Sequence, residues 1–381
     1  MEPIYLDHAA TTPLRAEVRE AMLPFLNERF GNPSSVHRWG REARAALDDA
    51  RARLAAVIGA RASEIIFTRG GTESDNLAVF GRVRCGKGAP VVCSAFEHKA
   101  VLAAARAAVE ERALRLLPVS GDGVVDSDAL PSLLEPRPCV VSVMWVNNEV
   151  GSIQPIEQLA TRCREAGVPF HTDAVQALGK LRVRVDEVPV DLLSVSAHKI
   201  SGPKGVGALY VRRGTAVAPF VHGGGQERGL RSGTEDVAGA VGLAVAAELA
   251  DRDREETMRR LGTLRDRLEA ALRERMPDLV VNAAGVPRSP IISNLCVPGT
   301  DAEALLPALD MEGIAVSSGS ACSSGAFAAS SVLIAMGLSP ELARASIRIS
   351  LGRRTTAEEI DHAIEILPQV VQRLRALAAS R

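Results

Sequence analysis

The sequence predicts an α/β protein: a parallel sheet covered by helices on both faces, joined to a smaller α+β unit. Three observations carry this. Between residues 64 and 195, apolar β-branched runs alternate with helical patterns, as strand–helix–strand crossovers require. From 234 to 276 the pattern is helical and turns strongly charged after Ala250, which reads as a connection to a second unit. Beyond it, short strand-like runs mix with helices, and 381 residues exceed one ordinary compact domain.

Taken in order, the strand-like runs of the first part are 65–68, 90–94, 139–146, 168–172 and 191–196. Between them, 74–82, 99–112 and 156–166 have helical spacing. The second part offers strands at 279–281, 291–296, 314–316 and 346–350 and a helix at 356–377. No internal repeat or low-complexity tract interrupts this order.

Composition removes several function classes. A net charge of -1 gives no argument for nucleic acid or an anionic membrane as the main partner. The N-terminus, MEPIYLDHAATTP, lacks a basic region followed by an apolar core, so no secretory signal is expected. The most apolar helical stretch, 237–250, is too short to span a bilayer and ends in charges. The six cysteines form no CxxC and no Cys/His metal spacing. Reduced thiols in a cytoplasmic protein, without a resident metal, are the expectation.

In a parallel sheet, ligands bind at the carboxyl ends of strands, so the residues that follow each run are the candidates for chemistry. After EIIFT comes Arg69-Gly70-Gly71-Thr72-Glu73-Ser74, a glycine turn opening a helix whose free amides favour a phosphate. After VVCSA comes Glu97-His98-Lys99, where a histidine is more often a cap than a catalyst. Asn147-Asn148-Glu149 and Asp173-Ala174-Val175-Gln176 follow the next two runs. Asp173 is either a helix cap or a carboxylate for a protonated heterocyclic nitrogen. The last run leads into Ser196-Ala197-His198-Lys199. Lysine occurs only at Lys87, Lys99, Lys180, Lys199 and Lys204 in a chain otherwise basic through arginine. Unlike arginine, a lysine can lose its proton and act as an amine nucleophile. Singly these signals are weak. Together they supply what pyridoxal 5′-phosphate needs: an amine for its aldehyde, an anion for its ring nitrogen and donors for its phosphate. Further on, Ser317-Ser318-Gly319-Ser320-Ala321-Cys322 sets one cysteine among small residues, suited to carrying a thiol into a site. The other five cysteines sit in or beside apolar or helical patterns and read as packing.

These motifs, with Tyr5–Pro13 (YLDHAATTP), FGNPSS at 30–35, HGGGQERGLRSGT at 222–234 and Ser346-Ile347-Arg348, resemble nearly end to end the cysteine desulfurases. Those are pyridoxal-phosphate enzymes of the class V aminotransferase group, fold type I, here similar to the nitrogen-fixation and housekeeping iron–sulfur subgroup. The resemblance implies a large domain over 14–255 with a mainly parallel seven-stranded sheet. It also implies a small α+β domain from 1–13 and 256–381, carrying a mobile cysteine loop at about 317–331. Lys199 would bind the cofactor covalently, Asp173 would pair with the ring nitrogen and Gln176 would bond the ring oxygen. His98 would stack on the ring and assist proton transfer, with Cys322 deprotonated by His98 or by the incoming substrate. Gly71, Thr72, Ser196 and His198 would hold the phosphate, with Thr234 arriving from the other subunit of a homodimer. Asn147, also near the cofactor, and Arg348 would fix the carboxylate of L-cysteine. Cys322 would take the sulfur as a persulfide, at most a transient ligand of an iron–sulfur cluster, and pass it to an iron–sulfur scaffold or a thiolation protein. An aminotransferase needs no such cysteine, a selenocysteine lyase remains an alternative substrate choice, and a silent binding platform would not keep Lys199, Asp173, His98 and Cys322 together.

Overall fold

The computed structural model describes residues 3–319 and 329–379. Its strands are β1 (Ile4–Tyr5), β2 (Ile65–Thr68), β3 (Val91–Ser94), β4 (Leu114–Leu117), β5 (Val140–Ser142), β6 (Phe170–Asp173), β7 (Leu192–Ser196), β8 (Gly207–Val211), β9 (Val280–Val281), β10 (Ile292–Cys296), β11 (Ile314–Ala315) and β12 (Ser346–Ser350). Seven of them form one sheet in the order β2-β8-β7-β6-β5-β3-β4. Strand β8 runs antiparallel to both its neighbours, and the other pairs are parallel. The α/β class and the mainly parallel sheet are as the sequence predicts. Because only β8 is reversed, the carboxyl ends of β2, β3, β5, β6 and β7 share one edge.

The helices are α1 (Ala16–Leu26), α2 (Arg38–Ile58), α3 (Gly71–Cys85), α4 (Lys99–Ala108), α5 (Leu130–Leu133), α6 (Ile156–Glu165), α7 (Val237–Arg252), α8 (Arg254–Arg275), α9 (Ala302–Met311), α10 (Ser331–Ala335), α11 (Pro340–Arg344) and α12 (Ala357–Ala379). Helix α2 shows why such segments fold. Ala43, Leu47, Ala50, Leu54 and Ile58 recur at helical spacing on its buried face. The His37 ring caps its start by accepting the Gly40 amide, and Gly59 ends it in the left-handed conformation. Helix α7, rich in alanine, glycine and valine, is buried almost all round and packs against α1 and α2.

Three differences from the sequence reading have physical causes. The run at 234–276 is two helices, broken at Asp253, where the chain leaves a helix buried all round for an amphipathic one. Asp253 there takes the Arg15 guanidinium at 2.9 Å. Strand β4 escapes notice because it is a sheet edge with Leu116 exposed. Strand β8 hides behind the glycine-proline turn at 202–205, which punctuates the sequence as a loop.

Apolar side chains collect in two main clusters. One spans the large sheet and its helices, including Leu47, Leu54, Phe96, Val141, Phe170, Leu193 and Leu243. The other joins Ile4 and Leu6 to Leu268, Ile292, Leu295, Ile347, Ile360 and Leu367. Each fully buried leucine or isoleucine contributes roughly 1.5–3 kcal/mol. Pairing of β1 with β11, and of β10 with β12, brings the first residues of the chain and the strand bearing Arg348 together. Both then lean over the carboxyl edge of the large sheet.

Candidate active site

A cavity of about 300 Å³ opens at that edge. Gly71, Thr72, His98, Asp173, Gln176, Ser196, His198, Lys199 and Arg348 all line it, so nine residues scattered over the sequence converge on one space. Asn147 stands behind the wall. Its Nδ2 donates to Phe96 O at 3.2 Å, and its Oδ1 accepts the amides of Glu149 and Val150 at 2.8 and 2.9 Å. Thr234 is exposed and not part of the lining. Cys322 lies outside the described residues.

One end of the cavity is built for an anion. Gly70, at φ 135°, turns the chain from β2 into α3 in a conformation that side chains rarely adopt, and Gly71 and Thr72 begin the helix facing the cavity. Its first amides have no helical partners, and the helix dipole adds positive potential there. A Cβ on Gly71 would come within 2.8 Å of Val175 Cγ2, so glycine keeps this cradle open. Ser196 and His198 enter from the end of β7. His198 Nδ1 lies 3.1 Å from Thr11 Oγ1, and burial lowers its pKa to about 4, leaving a neutral ring.

The middle carries the titratable groups. Asp173 ends β6, and its Oδ1 accepts the Val175 amide at 2.9 Å. Burial raises its pKa, opposed by the charges of His98 and Lys199. A buried carboxylate in this position is stabilised by a cation placed against it. His98 is both the cap and the cavity residue that the sequence left open. Its Nδ1 accepts the Ala100 amide at 3.1 Å, and burial lowers its pKa. With the Nδ1 lone pair committed to that cap, the neutral ring carries its proton on Nε2. Lys199 Nζ donates to the carbonyls of Ala9 and Ala10, each at 2.6 Å. Gln176 Nε2 also bonds Ala9 O, at 2.9 Å, while its Oε1 is buried without a partner.

At the far end, Arg348 projects from β12 and is 3% exposed. Its Nη1 and Nη2 bond Asn148 O at 2.7 Å and Asp7 at 2.6 Å, and its Nε–H is buried and unpaired. That arrangement leaves a donor for a carboxylate.

Several residues in and behind the wall have no role in the sequence reading. Glu97 is 2% exposed, takes the Ser94 hydroxyl at 2.5 Å and the Met144 amide at 2.8 Å, and is pushed by burial to about 8. Asp75, one turn into α3, has its pKa raised well above the ordinary value by burial and by the Asp173 charge. Lys180, buried behind Lys199 with its Nζ on the Lys199 carbonyl at 2.9 Å, is lowered by burial to about 7. Glu149 closes the wall near Gly319. Nothing local marks these side chains as buried; only tertiary packing does. No cluster of metal-ligating side chains occurs among the described residues.

These groups fit pyridoxal 5′-phosphate: open amides for the phosphate, a buried anion for the ring nitrogen, an amine between them and a cavity of ligand size. The comparisons point the same way. Residues 4–363 match the family described as Aminotransferase class-V. A protein of Dictyoglomus turgidum named Cysteine desulfurase IscS is 46% identical over 379 residues, 98% of this chain and 96% of that protein. Among solved structures, a NifS-like protein shares 35% identity with a TM-score of 0.90, covering 98% of this chain and 100% of its own. A structure titled SspA in complex with cysteine shares 34% identity with a TM-score of 0.80, covering 93% of this chain and 100% of its own. The chain belongs to the class-V aminotransferases and, among them, to the cysteine desulfurases, a pyridoxal-phosphate family.

Proposed function

We propose that this chain is a cysteine desulfurase that converts L-cysteine to L-alanine and leaves the sulfur as a persulfide on Cys322. The observation that carries the reading is the convergence of Lys199, Asp173, His98 and Arg348 on one cavity, with Gly319 of the cysteine-bearing stretch on its rim. Bound pyridoxal phosphate supplies an electron sink for charge developing at the substrate Cα. The chain's own groups do the rest. Gly71 and Thr72 amides, Ser196 and His198 hold the phosphate. Asp173, anionic once a ring cation sits against it, keeps that nitrogen protonated. Gln176 orients the ring oxygen. The Arg348 Nε–H takes the substrate carboxylate, with Asn147 supporting the wall behind it. Lys199 would hold the cofactor through its Nζ, and the same amine is placed to carry the substrate α-proton.

His98, with its proton on Nε2, would face the ring and is placed to give a proton rather than take one. Activation of the thiol therefore falls to the substrate, not to His98. In the net step the Cys322 thiolate forms the S–S bond as the substrate C–S bond breaks, and the released electron pair takes a proton at the carbon that becomes the alanine methyl. A free thiol of pKa about 8.5 is mostly protonated at neutral pH, so only the thiolate fraction reacts. The test is to incubate the purified chain with cofactor and sulfur-labelled L-cysteine. One alanine should form per persulfide, located on Cys322, and Cys322→Ser should load none; label on the serine variant would end the reading.

Four finer expectations belong to the same proposal. The persulfide passes to an iron–sulfur scaffold or a thiolation protein. The chain works as a cytoplasmic homodimer, supported by the exposed apolar residues Leu23, Leu26, Phe30, Val36 and Trp39 and by exposed Thr234, which would reach the phosphate of a second copy. The domains divide at 14–255 against 1–13 with 256–381, supported by the second apolar cluster uniting Ile4 with Ile360. No described helix is long and apolar enough to cross a membrane.

A further inference from the structure

Glu149 is a buried carboxyl on the cavity wall that none of these roles uses. It is 6% exposed. Its Oε2 accepts the Ser330 hydroxyl at 2.5 Å. That hydroxyl also accepts the Leu333 amide at 3.2 Å, so Ser330 caps α10 while tied to Glu149. On the other side Gly319 crosses the carboxylate so closely that a Cβ built there would lie 3.0 Å from Oε2 and 3.1 Å from Cγ. Gly319, at φ 80°, donates its amide to Ser317 Oγ at 3.1 Å, and Ser317 is joined backbone to backbone with Arg348.

Glu149 is itself held firmly. Its amide donates to Asn147 Oδ1 at 2.8 Å, and its carbonyl accepts Asn294 Nδ2 at 3.2 Å. Burial raises its pKa, opposed by the Ser330 hydroxyl and by the charges of Arg348 and Lys99. A buried carboxyl carries a desolvation cost that an apolar residue would avoid, so a helix-capping role alone is a poor reason for it. Its distinctive property is reach: one side chain touches Gly319 and Ser330, the two flanks of the stretch that contains Cys322.

We propose that Glu149 is a positioning residue for sulfur transfer, anchoring both flanks of the Cys322 stretch at the wall of the substrate cavity. It thereby sets how the thiol is presented to the sulfur of bound L-cysteine. This rests on the cysteine desulfurase reading. A displacement of about 1 Å in the placement of a reacting group costs on the order of a hundredfold in rate, so an anchor in this place has kinetic weight.

The experiment uses cofactor-loaded wild type, Glu149→Gln, Glu149→Ala and Ser330→Ala. It follows single-turnover persulfide formation on Cys322, the affinity for L-cysteine and the exchange of the L-alanine α-hydrogen with deuterium. That exchange needs Lys199 and the cofactor but no Cys322. Amide hydrogen exchange of 317–319 and 329–333 in cofactor-free protein adds a readout independent of turnover. Glu149→Ala and Ser330→Ala should slow persulfide formation at least about tenfold and speed amide exchange at both flanks. L-cysteine affinity and alanine exchange should hold. Glu149→Gln, which keeps an oxygen for Ser330, should stay within about threefold of wild type. Wild-type persulfide rates in both Glu149→Ala and Ser330→Ala, or alanine exchange slowed as much as persulfide formation, would overturn the anchor. A wild type that forms no persulfide on Cys322 would overturn the desulfurase reading beneath it.

Discussion

Replacing Glu97 by glutamine should flatten the pH dependence of stability in the cofactor-free protein. The carboxyl is fully enclosed, and its Oε1 takes the Ser94 hydroxyl and the Met144 amide while Oε2 has no partner. A neutral acid suits that environment, and burial accordingly lifts the pKa from 4.5 to about 8. The folded state thus binds a proton more tightly than the unfolded chain does. Stability from this group is intact below the unfolded value near 4.5 and is lost as pH rises through about 8. At 1.36 kcal/mol per unit the full loss is on the order of 5 kcal/mol. Glutamine keeps the carbonyl oxygen for both donors and never ionises. Urea midpoints at fixed protein concentration, taken between about pH 5 and about pH 9, give the assay. Asp75, Asp173 and Glu149 also have raised pKa values, so both proteins will retain some slope. The wild type should lose a few kcal/mol more than the variant across that range. Parallel curves for the two proteins would refute the reasoning.

Other expectations are more local. Asp173→Asn keeps the acceptor for the Val175 amide but removes the charge, and loss of a charge-assisted bond of about 2–3 kcal/mol should weaken cofactor binding roughly 30- to 150-fold in an absorbance titration. Arg348→Lys keeps a positive charge but loses the guanidinium fork that spans Asn148, Asp7 and the spare Nε–H; KM for L-cysteine should rise at least about tenfold, with a smaller change in kcat, in steady-state alanine release. Glu227→Ala strips the buried bidentate partner of Arg51, held at 2.7 Å on both nitrogens, and should cost about 3–5 kcal/mol in denaturant unfolding.

The strand ends were legible because their chemistry is local. A glycine pair before a helix, an aspartate closing an apolar run and a rare lysine after a buried strand each advertise themselves in a short window. Convergence of these signals depends only on the parallel direction of the strands, which the alternation of runs implies. Asp75, Glu97 and Glu149 were not legible as buried wall groups, because an acid on an ordinary helix or turn looks solvated until its neighbours close over it. Edge strand β4 and the antiparallel β8 were hidden for a related reason: sheet position is a property of partners, not of the five or so residues themselves. His98 lies between these cases. Its place at a helix start was plain, yet which ring nitrogen holds the proton emerged only from the bond between Nδ1 and Ala100.

The meeting of Ala9 and Arg348 at one cavity has a consequence for how the protein is made. Ala9 supplies the carbonyl for Lys199 and Gln176, and Arg348 supplies the far wall. On the ribosome Ala9 is made long before Arg348. A nascent chain therefore has no finished vitamin-binding chamber until the segments bearing Ala9 and Arg348 have found each other.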